Sequence, residues 1–93
     1  MQAKTFESTL QQDKDGTWWF VHVPKEIRQA YKAFERRGSI RVTATIGGTS
    51  WEGSLLPWAD GSAQLNVNKA IRSKEDLELG QLLAVTVKPQ LSQ

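Results

Sequence analysis

Few side chains in this chain could carry covalent chemistry. His22 is the only histidine and cysteine is absent, so thiolate nucleophiles, disulfides and metal sites built on two or three imidazoles have nothing to draw on. A Ser-His-Asp arrangement would have to pass through His22. That residue sits in an apolar run between Phe20 and Pro24, where it reads as a packed or half-exposed histidine. The carboxylates Asp13, Asp15, Asp60, Glu75 and Asp76 fall in polar turns, where such side chains cap or solvate the backbone. Gly47-Gly48 lacks the following helix and Lys-Ser/Thr pair that would hold a phosphate, and reads as a tight reversal. No catalytic, cofactor-binding or metal-ligating residue is assigned, so the chain reads as a non-enzyme without a cofactor.

Residue types suited to binding are better represented. Between Lys25 and Arg41 six cations, Lys25, Arg28, Lys32, Arg36, Arg37 and Arg41, meet two acids, Glu26 and Glu35, giving a local charge of +4 in a chain of net charge +2. Such a stretch reads first as a solvated helix face and second as a surface for phosphate or an acidic partner. Arg28 and Arg72 stand out because they hold equivalent places in a phrase that occurs twice. They could face one another, or bond carbonyls of the opposite half. Trp18, Trp51 and Trp58 could form an aromatic platform for a base or an apolar ligand. Trp58, in a loop beside Pro57, is the best placed for an exposed contact, whereas Trp19 and Trp51 are placed for packing.

Three functional readings follow. The leading one is a small binding or interaction module whose partner is a protein or a small ligand. The second is nucleic-acid binding through the basic residues 25–41, and the third a small-ligand-binding barrel, with a pocket or enzyme site lined by Trp18, Trp51, Trp58 and Arg72.

These side chains must be positioned by strands. Residues 4–11 alternate, with Phe6, Ser8 and Leu10 on one side. Asp15-Gly16 closes a polar turn before residues 17–23, so the first two strands are expected to form a hairpin. In the second of them Trp19, Val21 and Val23 share one face and Trp18, Phe20 and His22 the other, as in a strand covered on two sides or one lining a barrel whose outside meets a helix. Pro24 ends that strand and suits a helix start. Ile27, Ala30, Tyr31 and Phe34 then recur at helical spacing, with Gly38 just past the expected end. Residues 39–46 and 49–56 alternate around Gly47-Gly48, predicting a second hairpin. Asp60-Gly61 turns into a strand over 62–67, Asn68 is a helix N-cap, and Ser73-Lys74-Glu75-Asp76 resembles a capping box. Leu77 and Leu79 are placed to cover the core, and Leu83, Val85 and Val87 mark the last strand.

The repeated phrase is Val23-Pro24-Lys25-Glu26-Ile27-Arg28 and, 44 residues later, Val67-Asn68-Lys69-Ala70-Ile71-Arg72. Each copy closes a strand and opens a helical turn, followed by a glycine and a β-rich stretch. Neither half buries both apolar faces alone. One domain over 1–93 is expected, with half-units of about 4–46 and 49–89 and a frayed tail at 90–93. No apolar run reaches the roughly 18 residues a membrane helix needs, and the opening residues Met1-Gln2-Ala3-Lys4-Thr5 lack a signal-peptide core. The chain is thus expected to be cytoplasmic, off the membrane, and a monomer or weak homodimer.

Strand, Pro24-Lys25-Glu26-Ile27-Arg28, helix, glycine and β-run together resemble the swapped-hairpin half-barrel of AbrB- and MazE-like transcription factors and antitoxins. In those proteins two chains donate one copy each. Both copies in one chain, with Trp51-Glu52-Gly53-Ser54-Leu55 after the Gly-Gly hairpin and the Asp60-Gly61 turn, resemble the bacterial and archaeal family known as domain of unknown function 1905, over roughly Phe6 to Pro89. The resemblance implies a mainly β fold: a small double-split β-barrel of about six to seven strands with an internal pseudo-twofold repeat, capped by one longer and one short helix. It implies little about activity. The AbrB-like DNA binders usually carry an arginine after the glycine that opens the strand before the proline, and an aspartate after the glycine that follows the helix. Here Gly16 and Gly61 are followed by Thr17 and Ser62, and Gly38 and Gly80 by Ser39 and Gln81, so those positions are not filled.

Overall fold

Among the described residues, the alternating apolar positions resolve into seven strands of a single sheet. The structure, a computed structural model, describes residues 3–90. Met1 and Gln2 of the opening segment, and 91–93 of the expected tail, lie outside the described residues. In chain order come β1 (Lys4–Thr9), β2 (Gln11–Gln12), β3 (Trp19–Val23), α1 (Lys25–Ala30), a 3₁₀ turn (Lys32–Phe34), β4 (Ile40–Ile46), β5 (Thr49–Pro57), β6 (Ala63–Asn66), α2 (Lys69–Lys74) and β7 (Leu82–Pro89).

The sheet order is β1-β7-β4-β5-β6-β3-β2, with antiparallel neighbours. Its two outermost members, β1 and β2, are consecutive in the chain and parted only by Leu10, so the sheet curls into a nearly closed barrel. Leu10 is the switch. Its N–H donates to the Gln81 carbonyl at 2.9 Å and its own carbonyl accepts from Gly80 N–H at 2.8 Å, which ends the β1–β7 ladder. The chain then joins β3. Inward residues Val21, Val23, Val42, Ala44, Leu65, Val85 and Val87 are completely buried, in the alternation expected of a strand with one face on a core.

The expected first hairpin is corrected by this switch. Only Gln11↔Phe20 and Gln12↔Trp19 pair across it, while β1 ladders with β7 through Phe6↔Val85. Asp13 explains why β3 starts two residues late. Its Oδ1 accepts from the N–H groups of Thr17 (2.8 Å) and Trp18 (3.2 Å), holding both in the turn. The β4–β5 hairpin about Gly47-Gly48 forms as read, from Ile40↔Leu55 to Ile46↔Thr49.

The helices differ from expectation in length. Each has six residues, so the pattern is not one longer and one short helix. Beyond Ala30 the helical spacing is kept by the 3₁₀ turn instead. Tyr31 enters the core and donates from its hydroxyl to the Val87 carbonyl at 3.1 Å, and Phe34 packs edge-on against it at 6.5 Å. Ala30 is exposed. Gly38 is not a helix cap. With φ of +84° beside Arg37 at +55°, it completes a tight reversal whose ends, Arg36 and Ser39, exchange backbone bonds of 2.8 and 3.1 Å, the conformation that needs two left-handed residues.

At α2 the Asn68 cap is as read: its Oδ1 accepts from Ile71 N–H at 3.1 Å. Ser73-Lys74-Glu75-Asp76 belongs to the helix end, not to a start. Asp76 adopts φ of +54°, Leu77 N–H reaches the Arg72 carbonyl at 2.9 Å and Asp76 N–H that of Ser73 at 3.3 Å. That is a Schellman closure with aspartate in the left-handed place. Leu77 packs on the core, whereas Leu79 is 51% exposed.

Candidate binding clefts at Arg28 and Arg72

Both phrase arginines lie one turn into their helices and half-buried, and each lines a cleft. They do not face one another. Arg28 donates through Nη1 to the carbonyls of Trp58 (3.3 Å) and Ser62 (3.2 Å), which belong to the second half, as one sequence reading had it. Its Nη2 stands 3.8 Å from Glu35, which Lys32 also approaches at 3.8 Å. The cleft here, about 310 Å³, is lined by Arg28, Gln29, Lys32, Trp58, Ala59 and Gly61. Its two cations share the Glu35 carboxylate, which blunts its pull on an outside anion.

Trp58 is not the exposed contact that its loop position suggested. The turn it opens is closed by Trp58 N–H to the Ser62 carbonyl (3.0 Å) and Gly61 N–H to the Trp58 carbonyl (3.1 Å). The indole folds back over the outer face of β3, 6.0 Å from the Phe20 ring and 4.8 Å from His22 between centroids. Its Nε1–H donates to Gln64 at 2.8 Å. A loop, not a helix, therefore covers the outside of that strand and buries Phe20.

Beneath it runs a polar chain. Ser62, 3% exposed, donates its one hydroxyl proton to Asp60 Oδ1 and lies 2.8 Å from His22 Nε2. With that proton committed, His22 must carry its own proton on Nε2 and donate it to Ser62. The hydrogen bonds from the Ser62 hydroxyl and then its N–H hold the Asp60 carboxyl below the usual aspartate range. This order, His to Ser to Asp, is the reverse of the one that strips a proton from a serine nucleophile.

The second cleft is chemically different. About 230 Å³ in size, it is lined by Thr17, Trp18, Trp19, Asn66, Val67, Asn68, Lys69 and Arg72. The Arg72 guanidinium carbon stands 4.2 Å above the Trp19 ring, within the range of a cation–π contact, and Nη1 donates to the Val67 carbonyl at 3.2 Å. The only carboxylate–cation pairs among the described residues are those of Glu35 with Arg28 and Lys32, so Arg72 has no carboxylate partner there. Trp18 is 54% exposed. Asn66 and Asn68 already use their side-chain oxygens, for Gln64 at 2.8 Å and Ile71 N–H at 3.1 Å. The lining thus combines two indoles with the amides of Asn66 and Asn68 and the cations Lys69 and Arg72.

The other candidates are dispersed. Trp51 is half-buried against the core, its Nε1 3.2 Å from where a Cβ on Gly53 would stand, so it shares neither cleft with Trp18 or Trp58. Lys25, Arg36, Arg37 and Arg41 are exposed on a helix, a tight turn and a strand, and Arg28 and Lys32 share an acid. The six cations therefore do not form one helix face, because α1 stops at Ala30. A third, open hollow of about 460 Å³ is lined by Thr43, Glu52, Lys88, Pro89 and Gln90, with opposite charges in it. Among the described residues no group of three or more His, Asp or Glu could hold a metal, and no helix is long and apolar enough to cross a membrane. Sequence reasoning missed Thr17, Asn66, Asn68 and Lys69 as cleft residues. The Trp18-Trp19 doublet and the cations of the second phrase were the available signal.

A nearly closed barrel of short antiparallel strands, with two six-residue helices each carrying an arginine into a cleft, defines a small β-barrel domain. Within that class the chain belongs to the family described as Domain of unknown function (DUF1905), whose model matches residues 6–87. No curated protein matches the chain.

Proposed function

We propose that this protein is a binding module, not a catalyst, and that its binding site is the cleft of Trp18, Trp19 and Arg72. One observation carries the reading: a half-buried guanidinium, stacked on Trp19 at 4.2 Å and lacking a carboxylate partner among the described residues, lies beside a 54% exposed indole. A half-buried charge is ordinarily answered by an opposite one, and aromatic residues and arginine are the types enriched where proteins make contacts. The complement is a planar anion. The test is titration at low salt with benzoate, cyclohexanecarboxylate and benzamide, followed by Trp18 indole N–H shifts and fluorescence. Benzoate perturbing Trp18 more than the saturated acid or the neutral amide is the expected result; no perturbation by benzoate into the millimolar range overturns the reading.

The barrel itself is read as a double-split one, built from related halves at about 4–46 and 49–89, the single-chain counterpart of the AbrB- and MazE-like half-barrels. An offset of 44 residues carries Lys25–Ala30 onto Lys69–Lys74. The same offset carries Val21 onto Leu65, which are direct partners across β3 and β6, as an approximate twofold axis between them requires. Ile27 and Ile71 are both buried, at 7% and 5% exposure. Against nucleic-acid binding through residues 25–41 stand the pairing of Arg28 and Lys32 with Glu35 and the scatter of the other four cations.

A further inference from the structure

We infer that the planar anion taken by the Trp18–Arg72 cleft is a nucleotide unit, with its base stacked on Trp18 and its phosphate held by Arg72 and Lys69. This rests on the binding reading above and narrows it. An aromatic acid would satisfy only the cations and the ring. The cleft offers more than that, because the Asn66 and Asn68 side chains, whose oxygens each already accept one bond inside the protein, also line it and carry N–H₂ donors. Thr17 adds a hydroxyl at the same rim. A ligand that answers all of them has a flat apolar face, acceptors along its edge and a negative charge. Nucleobases carry ring nitrogens and carbonyls at their edges, and the phosphate supplies the charge. At about 230 Å³ the cleft lies below the usual volume of drug-sized pockets, roughly 300–1,000 Å³, which suits one base better than a dinucleotide. Trp18, 54% exposed at the cleft, leaves a stacked base's chain free to continue into solvent. The unit is therefore either a free nucleotide or one residue of a single strand, since stacking on an exposed aromatic with flanking cations serves both.

The experiment titrates the full chain with uridine monophosphate, an eight-residue oligouridylate and a DNA duplex, reading Trp fluorescence and the Trp18 indole N–H, with benzoate as the reference anion. Quenching by the nucleotide probes is expected, weakened about 5- to 150-fold in Trp18→Ala, the range stacking supplies per base. Lys69→Gln weakens it as well and flattens the salt dependence. For the oligonucleotide, neutralising two phosphates gives a log–log salt slope of about −1.4. Both single variants change exposed side chains, so they keep the test independent of folding; Arg72→Lys then separates charge from stacking. Much tighter binding of the oligonucleotide than of the monophosphate assigns the site to single strands, and equal binding per site assigns it to free nucleotides. Benzoate binding with no response to either nucleotide probe overturns the nucleotide assignment and leaves the planar-anion reading standing. Silence to all probes removes both, and preference for the duplex removes the stacking account.

Discussion

Gly47 and Glu75 make a clamp whose strength can be worked out before it is measured. Gly47 opens the β4–β5 turn with φ of +59°, a region that disfavours L-residues by about 1–2 kcal/mol. In Gly47→Ala the new Cβ would also stand 3.0 Å from Glu75 Cδ and closer still to Oε1. The carboxylate must move, and with it the 2.5 Å bond that Thr49 donates to Oε2. Bonds to charged groups contribute about 1.5–3 kcal/mol, and a half-buried, solvent-screened one belongs at the low end. Gly47→Ala should therefore destabilise by about 3 kcal/mol, and Glu75→Ala by about 1.5 kcal/mol. In the Glu75→Ala background the glycine substitution should lose only its backbone part, about 1–2 kcal/mol. The double-mutant cycle thus predicts coupling near 1.5 kcal/mol, read from urea unfolding by tryptophan fluorescence. Additivity within about 0.5 kcal/mol would mean that the two residues do not meet as described.

Two further outcomes follow from the fold. Ile27→Ala and Ile71→Ala, both at buried positions, should each destabilise by about 2–5 kcal/mol; the proposed related halves would make the two losses similar, and a difference above about 2 kcal/mol in the same unfolding assay would count against that proposal. Tyr31 is the source of an alkaline limit. Burial raises its pKa above the ordinary 10.0, outweighing the hydrogen bond with the Lys4 backbone, so the folded state favours the neutral phenol. That contribution is complete below the unfolded pKa and is lost as pH rises through the folded one. Between pH 9 and 11.5, stability should fall more steeply in the parent than in Tyr31→Phe, and coincident slopes would refute it.

Much of the scaffold was legible because each signal was local. Alternation located β4, β5, β6 and β7 within a few residues, Gly47-Gly48 gave the hairpin, and Asn68 announced α2 by its own cap. What failed depended on distant partners. The spacing of Ile27, Tyr31 and Phe34 fits an α-helix and an α-helix followed by a 3₁₀ turn equally well. The choice was made by Tyr31 reaching Val87, 56 residues away. The split of the first strand at Leu10 is set by Gly80 and Gln81, which no local pattern reveals. At the candidate site, Arg28 and Arg72 were picked out together by the repeat. Their difference arose elsewhere: Glu35 follows Arg28 within reach, and nothing acidic among the described residues pairs with Arg72. Trp58 lost its expected exposure for a similar reason, since only the folded loop brings it over Phe20 and His22.

The place of β7 between β1 and β4 also sets a schedule for synthesis. The hydroxyls of Thr5 and Thr86 meet at 2.8 Å across 81 residues of chain, so β1 has no ladder until β7 is made. At the usual pace of roughly 5–20 residues per second, that is a wait of about 4–16 s on the ribosome. Phe6 and Leu10, both buried in the finished barrel, lack their cover from β7 for that interval, so the step that seals the barrel is the last one translation allows.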